Sequence, residues 1–134
     1  MSSFGLADVV YVDAEDITAI HDNVVASTGG LAGIRSGASV EALVSRVQFA
    51  LSYGALTTKI ELAAFYAEAI AQGHIFNDGN KRTAFVVMEY FFRINGIQTE
   101  FDPELVADKI VELATKTITY KELAFWIRPY VFEA

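Results

Sequence analysis

Two stretches of this 134-residue chain have almost no polar face: "KIELAAFYAEAIAQ" from Lys59 and "TAFVVMEYFFRI" from Thr83. A helix that is apolar nearly all round must be covered on several sides. Both segments therefore belong at the centre of a domain, with other elements packed around them. The length and a 53% hydrophobic composition are enough to build such a core, and disorder is not expected. Glu89 and Arg93 interrupt the second stretch, so no uncharged run approaches the ~20 residues needed to cross a bilayer.

The flanking segments also read as helices. Asp13 suits the cap of a first helix with Ile17, Ile20 and Val24 on one stripe, ending before Gly29 and Gly30. Ser39 opens a second, bearing Val40, Leu43, Val44, Val47 and Leu51 and stopping near Tyr53 and Gly54. Thr58 with Glu61, and Thr119 with Glu122, have capping-box spacing. Gly73 is the expected terminator of the third helix and Asn80 the expected cap of the fourth, which Asn95 and Gly96 close. Asp102 before Pro103 starts another, and the last ends near Pro129. "DVVYV" is the best strand candidate, "IQTEF" a short extended piece, and "GGLAGIRSGAS" a turn-rich loop without a phosphate-loop pattern. The expectation is one all-α domain over residues 1–134, a compact bundle of about six helices with at most a short strand or flap hairpin.

Absent cysteines exclude a disulfide scaffold and a thiolate metal site. The first residues carry no secretory pattern, and a cytoplasmic, membrane-free setting is expected. A formal charge of −7 argues against direct nucleic-acid binding. In so acidic a chain, adjacent Lys81 and Arg82 form a local positive spot.

That spot lies in "GHIFNDGNKRTAF", residues 73–85, between the two apolar helices. A helix start offers unpaired N–H groups and the positive end of the helix dipole, a natural seat for phosphate. Gly79 permits close approach of an anion, Arg82 adds a forked donor and Lys81 a point charge. Asp78 among these cations suits a magnesium ion bridging phosphates. Histidine exchanges protons near neutral pH, which makes His74 a candidate general base. Together these are the parts of phosphoryl or nucleotidyl transfer to a hydroxyl. The bland alternative is a helix–helix connection in which Asp78 or Asn80 merely caps, although capping needs one polar residue and this loop has six.

"HIFNDGNKR" resembles the signature of the Fic/Doc superfamily, His-x-Phe-x-Asp/Glu-Gly/Ala-Asn-Gly/Lys-Arg, and is most similar to the Doc ("death on curing") toxins. "AIHDNVVASTGGLAGIRS", "VEALVSRVQ" and "FFRINGIQTEFDPELVA" resemble Doc segments in the same order. The resemblance implies His74 as the base, Phe76 as the anchor of the loop, Asp78 on the metal, Gly79 and Asn80 in the anion cradle, and Arg82 on nucleotide phosphates. It further implies ATP and Mg2+ as cofactors, and transfer of the γ-phosphate to a threonine of elongation factor Tu. Restraint would come from a Phd-like antitoxin whose disordered tail folds on binding.

Lys81 stands where Fic nucleotidyl transferases have glycine, and Phe85 where they have a second arginine. Both departures disfavour AMP transfer, which remains the alternative enzymatic reading; a non-catalytic binding module is a third. An inhibitory Ser/Thr-x-x-x-Glu-Gly/Asn pattern is approached only by Thr57 to Glu61, where Leu62 breaks it. His21 reads as a surface or helix-packing residue, Arg35 as a surface ion-pair or anion contact, and "SYGALTTK" as either a substrate-docking flap or an ordinary loop.

Overall fold

The computed structural model describes residues 4–133. Six helices follow in order: α1 (Ala14–Thr28), α2 (Val40–Ser52), α3 (Lys59–Gly73), α4 (Asn80–Ile94), α5 (Pro103–Ala114) and α6 (Tyr120–Ile127). A 3-10 turn, Arg128–Tyr130, carries the chain past Pro129. Two three-residue strands, β1 (Ile97–Thr99) and β2 (Val131–Glu133), pair antiparallel with Gln98 opposite Phe132. The small sheet thus joins distant segments and is not a flap hairpin.

The sequence dictates the centre. α3 packs against α2, α4, α5 and α6, and its residues from Lys59 to Ala71 are buried apart from Glu61. Alanines at 63, 64, 67, 69 and 71 let four neighbouring helices approach one axis, while Leu62, Tyr66 and Ile70 fill the spaces between them. Each of these large side chains contributes roughly 1.5–3 kcal/mol on burial. α4 adds Val87, Met88, Phe91 and Phe92, all fully buried. No helix among the described residues is long and apolar enough to cross a membrane.

Helix starts follow the caps read from sequence, with instructive exceptions. Asp13 with Asp16 and Thr119 with Glu122 close reciprocal capping boxes. At α3 the box is only half made. The Thr58 hydroxyl takes the Glu61 N–H at 3.1 Å, but Glu61 Oε1 takes the amide and hydroxyl of Thr57 at 2.9 and 2.7 Å. Burial pushes the Glu61 carboxyl up, yet these bonds outweigh it and leave the group below its ordinary range.

The end of "SYGALTTK" is tied to the start of the described chain. Thr58 bridges Gly5, and Lys59 donates its backbone N–H to Phe4 at 2.6 Å and its ammonium to the Gly5 carbonyl at 2.7 Å. At 1.5 Å per residue, the length of α3 places this segment ~22 Å from the polar loop at the other end.

"DVVYV" forms no strand: Asp8 lies in a turn at φ 56°, and residues 9–12 pair with no strand among the described residues. Asn95 Oδ1 accepts the Val10 N–H at 2.7 Å, and Asn95 Nδ2 donates to the Val10 carbonyl at 2.9 Å. The Tyr66 hydroxyl likewise accepts from Val12 N–H at 3.1 Å and donates to Val12 O at 3.0 Å. Two side chains thus replace a neighbouring strand in satisfying this backbone. Burial pushes the Tyr66 phenol from 10.0 up to about 12.

Tyr66→Phe leaves both Val12 groups without partners and is expected to lower stability by about 1–3 kcal/mol in chemical denaturation. Because the folded phenol ionises later than the unfolded one, its contribution is complete below pH 10 and lost as pH rises toward 12. Stability of Tyr66→Phe should therefore fall less steeply than wild type across that window.

Candidate active site

The polar loop is the connection between α3 and α4, the two most buried helices. α3 runs through Gly73, and it is His74, as the C-cap, that takes the left-handed conformation at φ 49°, ψ 37°. For a residue with a Cβ this costs roughly 1–2 kcal/mol. His74 is exposed, and its ring forms no hydrogen bond or ion pair with any described residue. The two residues after it, Ile75 and Phe76, turn inward and are buried.

Asn80 opens α4 but does not cap it. Its side chain reaches back, Oδ1 accepting the Phe76 N–H at 3.1 Å and Nδ2 donating to the Phe76 carbonyl at 2.9 Å. Gly79, at φ 77°, occupies the N-cap with no side-chain cap bond. The first bond of the new helix is Thr83 N–H to Gly79 O, so the amides of Asn80, Lys81 and Arg82 keep no protein acceptor among the described residues. Each of the other five helices has a capping side chain and an acidic residue in its first turn. The start of α4 has neither, and presents Lys81 and Arg82 to solvent instead. That end is left open for an external anion.

His21 was not singled out from sequence as part of this centre. It is 1% exposed and stacks on Phe76, ring centroids 3.7 Å apart and planes within 7°. Its Nε2 lies 2.8 Å from the Asp78 carbonyl, which can only accept, so Nε2 carries the proton. The helix-packing alternative holds and the surface one does not. The signal was present: His21 is four residues past Ile17 and three before Val24, on the buried stripe of α1.

The glycine-rich loop is a brace for the motif. Ile34 pairs with Phe76, Arg35 N–H meets Ile75 O at 2.8 Å, and Asn77 N–H meets Gly33 O at 3.1 Å. Asn77 Nδ2 also donates to Ala32 O at 3.0 Å. Asp78 ties in through its carboxylate, Oδ1 accepting Gly79 N–H at 2.9 Å and Oδ2 accepting Leu31 N–H at 3.2 Å. A Cβ on Gly30 would come within 2.7 Å of that Oδ2, so a larger residue there would displace the Asp78 carboxylate. Arg35 is exposed and forms no ion pair among the described residues.

Lys81 and Arg82 open onto a groove of about 500 Å3 between α4 and α5, floored by Phe85, Val86, Ile110 and Val111. Glu89 lies on its rim, where burial raises its carboxyl above the ordinary range against the opposing pull of Arg93.

An exposed imidazole, a free helix start and a clamped phenylalanine within one loop are the parts of a recognisable motif, and a model of the Fic/DOC family matches residues 11–92. The chain belongs to the Fic/DOC family. It is 40% identical over 118 residues to "Protein kinase doc" of Escherichia phage P1, an overlap of 88% of this chain and 93% of that protein. It is 32% identical over 118 residues to "Toxin Doc" of Mycolicibacterium smegmatis, covering 85% of this chain and 88% of the relative. The matched region of the family spans α1 to most of α4 and so includes the His21 stack, the glycine brace and the whole Fic/DOC loop.

Two substitutions separate scaffold from chemistry in this loop. His21→Ala empties a stacked, hydrogen-bonded position and is expected to cost about 2–4 kcal/mol in denaturation. His74→Gly relieves the left-handed strain and is expected to hold or raise stability by about 1 kcal/mol. A clear stability loss in His74→Gly would mean that the imidazole supports the fold.

Proposed function

We propose that this chain is an ATP-dependent toxin kinase of Doc type, transferring the γ-phosphate to a threonine hydroxyl of elongation factor Tu and so inhibiting translation. The observation that carries this reading is the uncapped start of α4, with Lys81 and Arg82 exposed, one short loop away from the unpartnered His74. The name of the phage relative, a protein kinase, and that of the mycobacterial relative, a toxin, support it.

The residues take these roles. Gly79, Asn80 and the first amides of α4 cradle phosphate oxygens, the positive end of the helix favouring negative charge. Arg82 grips those oxygens with a forked donor and Lys81 adds its charge. His74 takes the proton of the target hydroxyl as its oxygen bonds to the γ-phosphorus and the bond to ADP breaks. Phe76 anchors the loop, and His21 and Asn80 hold that anchor in place.

Among the described residues no group of three or more histidine, cysteine or acidic side chains could hold a metal by itself. Magnesium is commonly bound by one or two carboxylates together with substrate phosphates, and Asp78 fits that mode. Its carboxylate accepts one hydrogen bond on each oxygen, which leaves lone pairs for an ion. When bound, Mg2+ would neutralise charge on the phosphates. Restraint in the cell is assigned to a Phd-like antitoxin whose tail folds on binding.

With purified protein and elongation factor Tu, label from γ-phosphate ATP is expected on the factor and label from α-phosphate ATP is not. Transfer of α-label alone would establish AMP transfer and sink the kinase. His74→Ala should slow transfer by about 10²–10⁴-fold. Arg82→Ala should weaken ATP use by about 10- to 100-fold, the loss of one or two charge-assisted bonds. Induced expression should arrest growth, and His74→Ala should restore it.

A further inference from the structure

The glycine-rich loop carries one charged side chain that takes no part in its bracing. Its backbone is fastened to the motif at successive points: Leu31 N–H to Asp78 Oδ2 at 3.2 Å, Asn77 N–H to Gly33 O at 3.1 Å, Ile34 bridged to Phe76, and Arg35 N–H to Ile75 O at 2.8 Å. These fastenings run from the α4 end of the motif toward His74. The last of them roots Arg35 against the residue that directly follows His74. The Arg35 carbonyl is taken too, accepting the Ala38 N–H at 3.0 Å. Both backbone groups of Arg35 are thus committed, and its root is fixed relative to the motif.

The guanidinium is free. Arg35 is exposed and forms no ion pair or ring contact among the described residues. Arg46, by contrast, lies 3.7 Å from Glu68 and over the Phe65 ring, and Arg93 lies over Tyr90. The carboxylates around the motif are engaged elsewhere. Asp78 accepts from Gly79 and Leu31, Asp22 faces His21, and Glu41 accepts from Ser39. Arg35 is also the first cation of the chain, after five carboxylates, and among the described residues it pairs with none of them. An arginine on a fixed root, outside every internal pair of a chain with formal charge −7, is a donor for an external anion.

Its place on the brace assigns that anion to the acceptor and not to ATP. In phosphoryl transfer the attacking and leaving oxygens stand roughly in line through the phosphorus. The leaving side is the start of α4, with Gly79, Lys81 and Arg82. The acceptor enters on the side of His74, which takes its proton. Arg35 is rooted on that side.

We propose that Arg35 is a specificity-determining residue, which holds a carboxylate of the protein acceptor beside the hydroxyl that His74 deprotonates. This rests on the kinase reading above. The planar fork of arginine meets a carboxylate through two parallel N–H···O bonds, which fixes orientation as well as proximity. The substrate class is therefore a threonine with an aspartate or glutamate next to it in space. A hydroxyl without that neighbour leaves the guanidinium unmatched and is used poorly.

The test follows γ-phosphate transfer to elongation factor Tu by the full chain and by Arg35→Ala, Arg35→Lys and Arg35→Glu, with ATP and factor varied separately. Arg35→Ala should raise KM for the factor about 10- to 100-fold, the loss of a charge-assisted fork, and leave KM for ATP where it is. Arg35→Lys should recover part of that loss, and Arg35→Glu should be worse than Arg35→Ala. Changing a single aspartate or glutamate of the factor near its labelled threonine to lysine should restore transfer by Arg35→Glu. A merely structural role for Arg35 gives no such rescue. An unchanged KM for the factor in Arg35→Ala, or a loss confined to KM for ATP, overturns the proposal and leaves the kinase reading standing. Failure of every such change in the factor to rescue Arg35→Glu does the same. Absence of γ-phosphate transfer by the unaltered chain overturns the kinase reading and this one with it.

Discussion

The side chain of Asn80 holds the motif together by occupying both backbone polar groups of Phe76. A buried aromatic residue leaves its own N–H and carbonyl away from water, and each would cost about 1–3 kcal/mol if unpaired. One amide side chain satisfies both, and in doing so it is withdrawn from the cap of α4. The open helix start is thus a result of how the loop is anchored. His21 completes the arrangement from the other side, stacking on the same ring and donating to the Asp78 carbonyl.

This arrangement separates side chains tied into the scaffold from side chains left exposed. Phe76, Asn80, His21 and Asp78 are committed to one another or to the glycine brace through hydrogen bonds of 2.8–3.2 Å. His74, Lys81 and Arg82 are exposed and uncommitted among the described residues. A site preorganised in this way places its free groups without spending their own hydrogen-bonding capacity on the scaffold. The left-handed backbone of His74 fits the same pattern, a local strain held by well-packed neighbours.

Much of this was legible in the residues. Two all-apolar segments required a buried pair of helices, and the caps at Asp13, Ser39, Thr58, Asp102 and Thr119 stand where sequence put them. The misreadings have a common physical origin. Asn80, Gly73 and "DVVYV" were read from local preference, and each was overruled by a partner distant in sequence or by the demands of the loop: Phe76 for Asn80, the αL turn at His74, and Asn95 with Tyr66 for the extended segment. His21 illustrates the opposite case, since helical phase alone marks it as buried. The bracing role of the glycine-rich loop needed three dimensions. Nothing in "GGLAGIRSGAS" announces that its carbonyls receive Asn77 or that Gly30 makes room for a carboxylate.

The latch on the N-terminal segment has its own evolutionary consequence. Asn95 and Tyr66 grip only main-chain atoms of Val10 and Val12, and Val10 and Tyr11 are about half exposed, at 49% and 50%. Position is therefore encoded in part 54 and 85 residues away, beside the buried Val12 side chain of the segment itself. Its outward side chains are free to drift, or to be recruited to a new surface, without unfastening the end of the molecule they sit on.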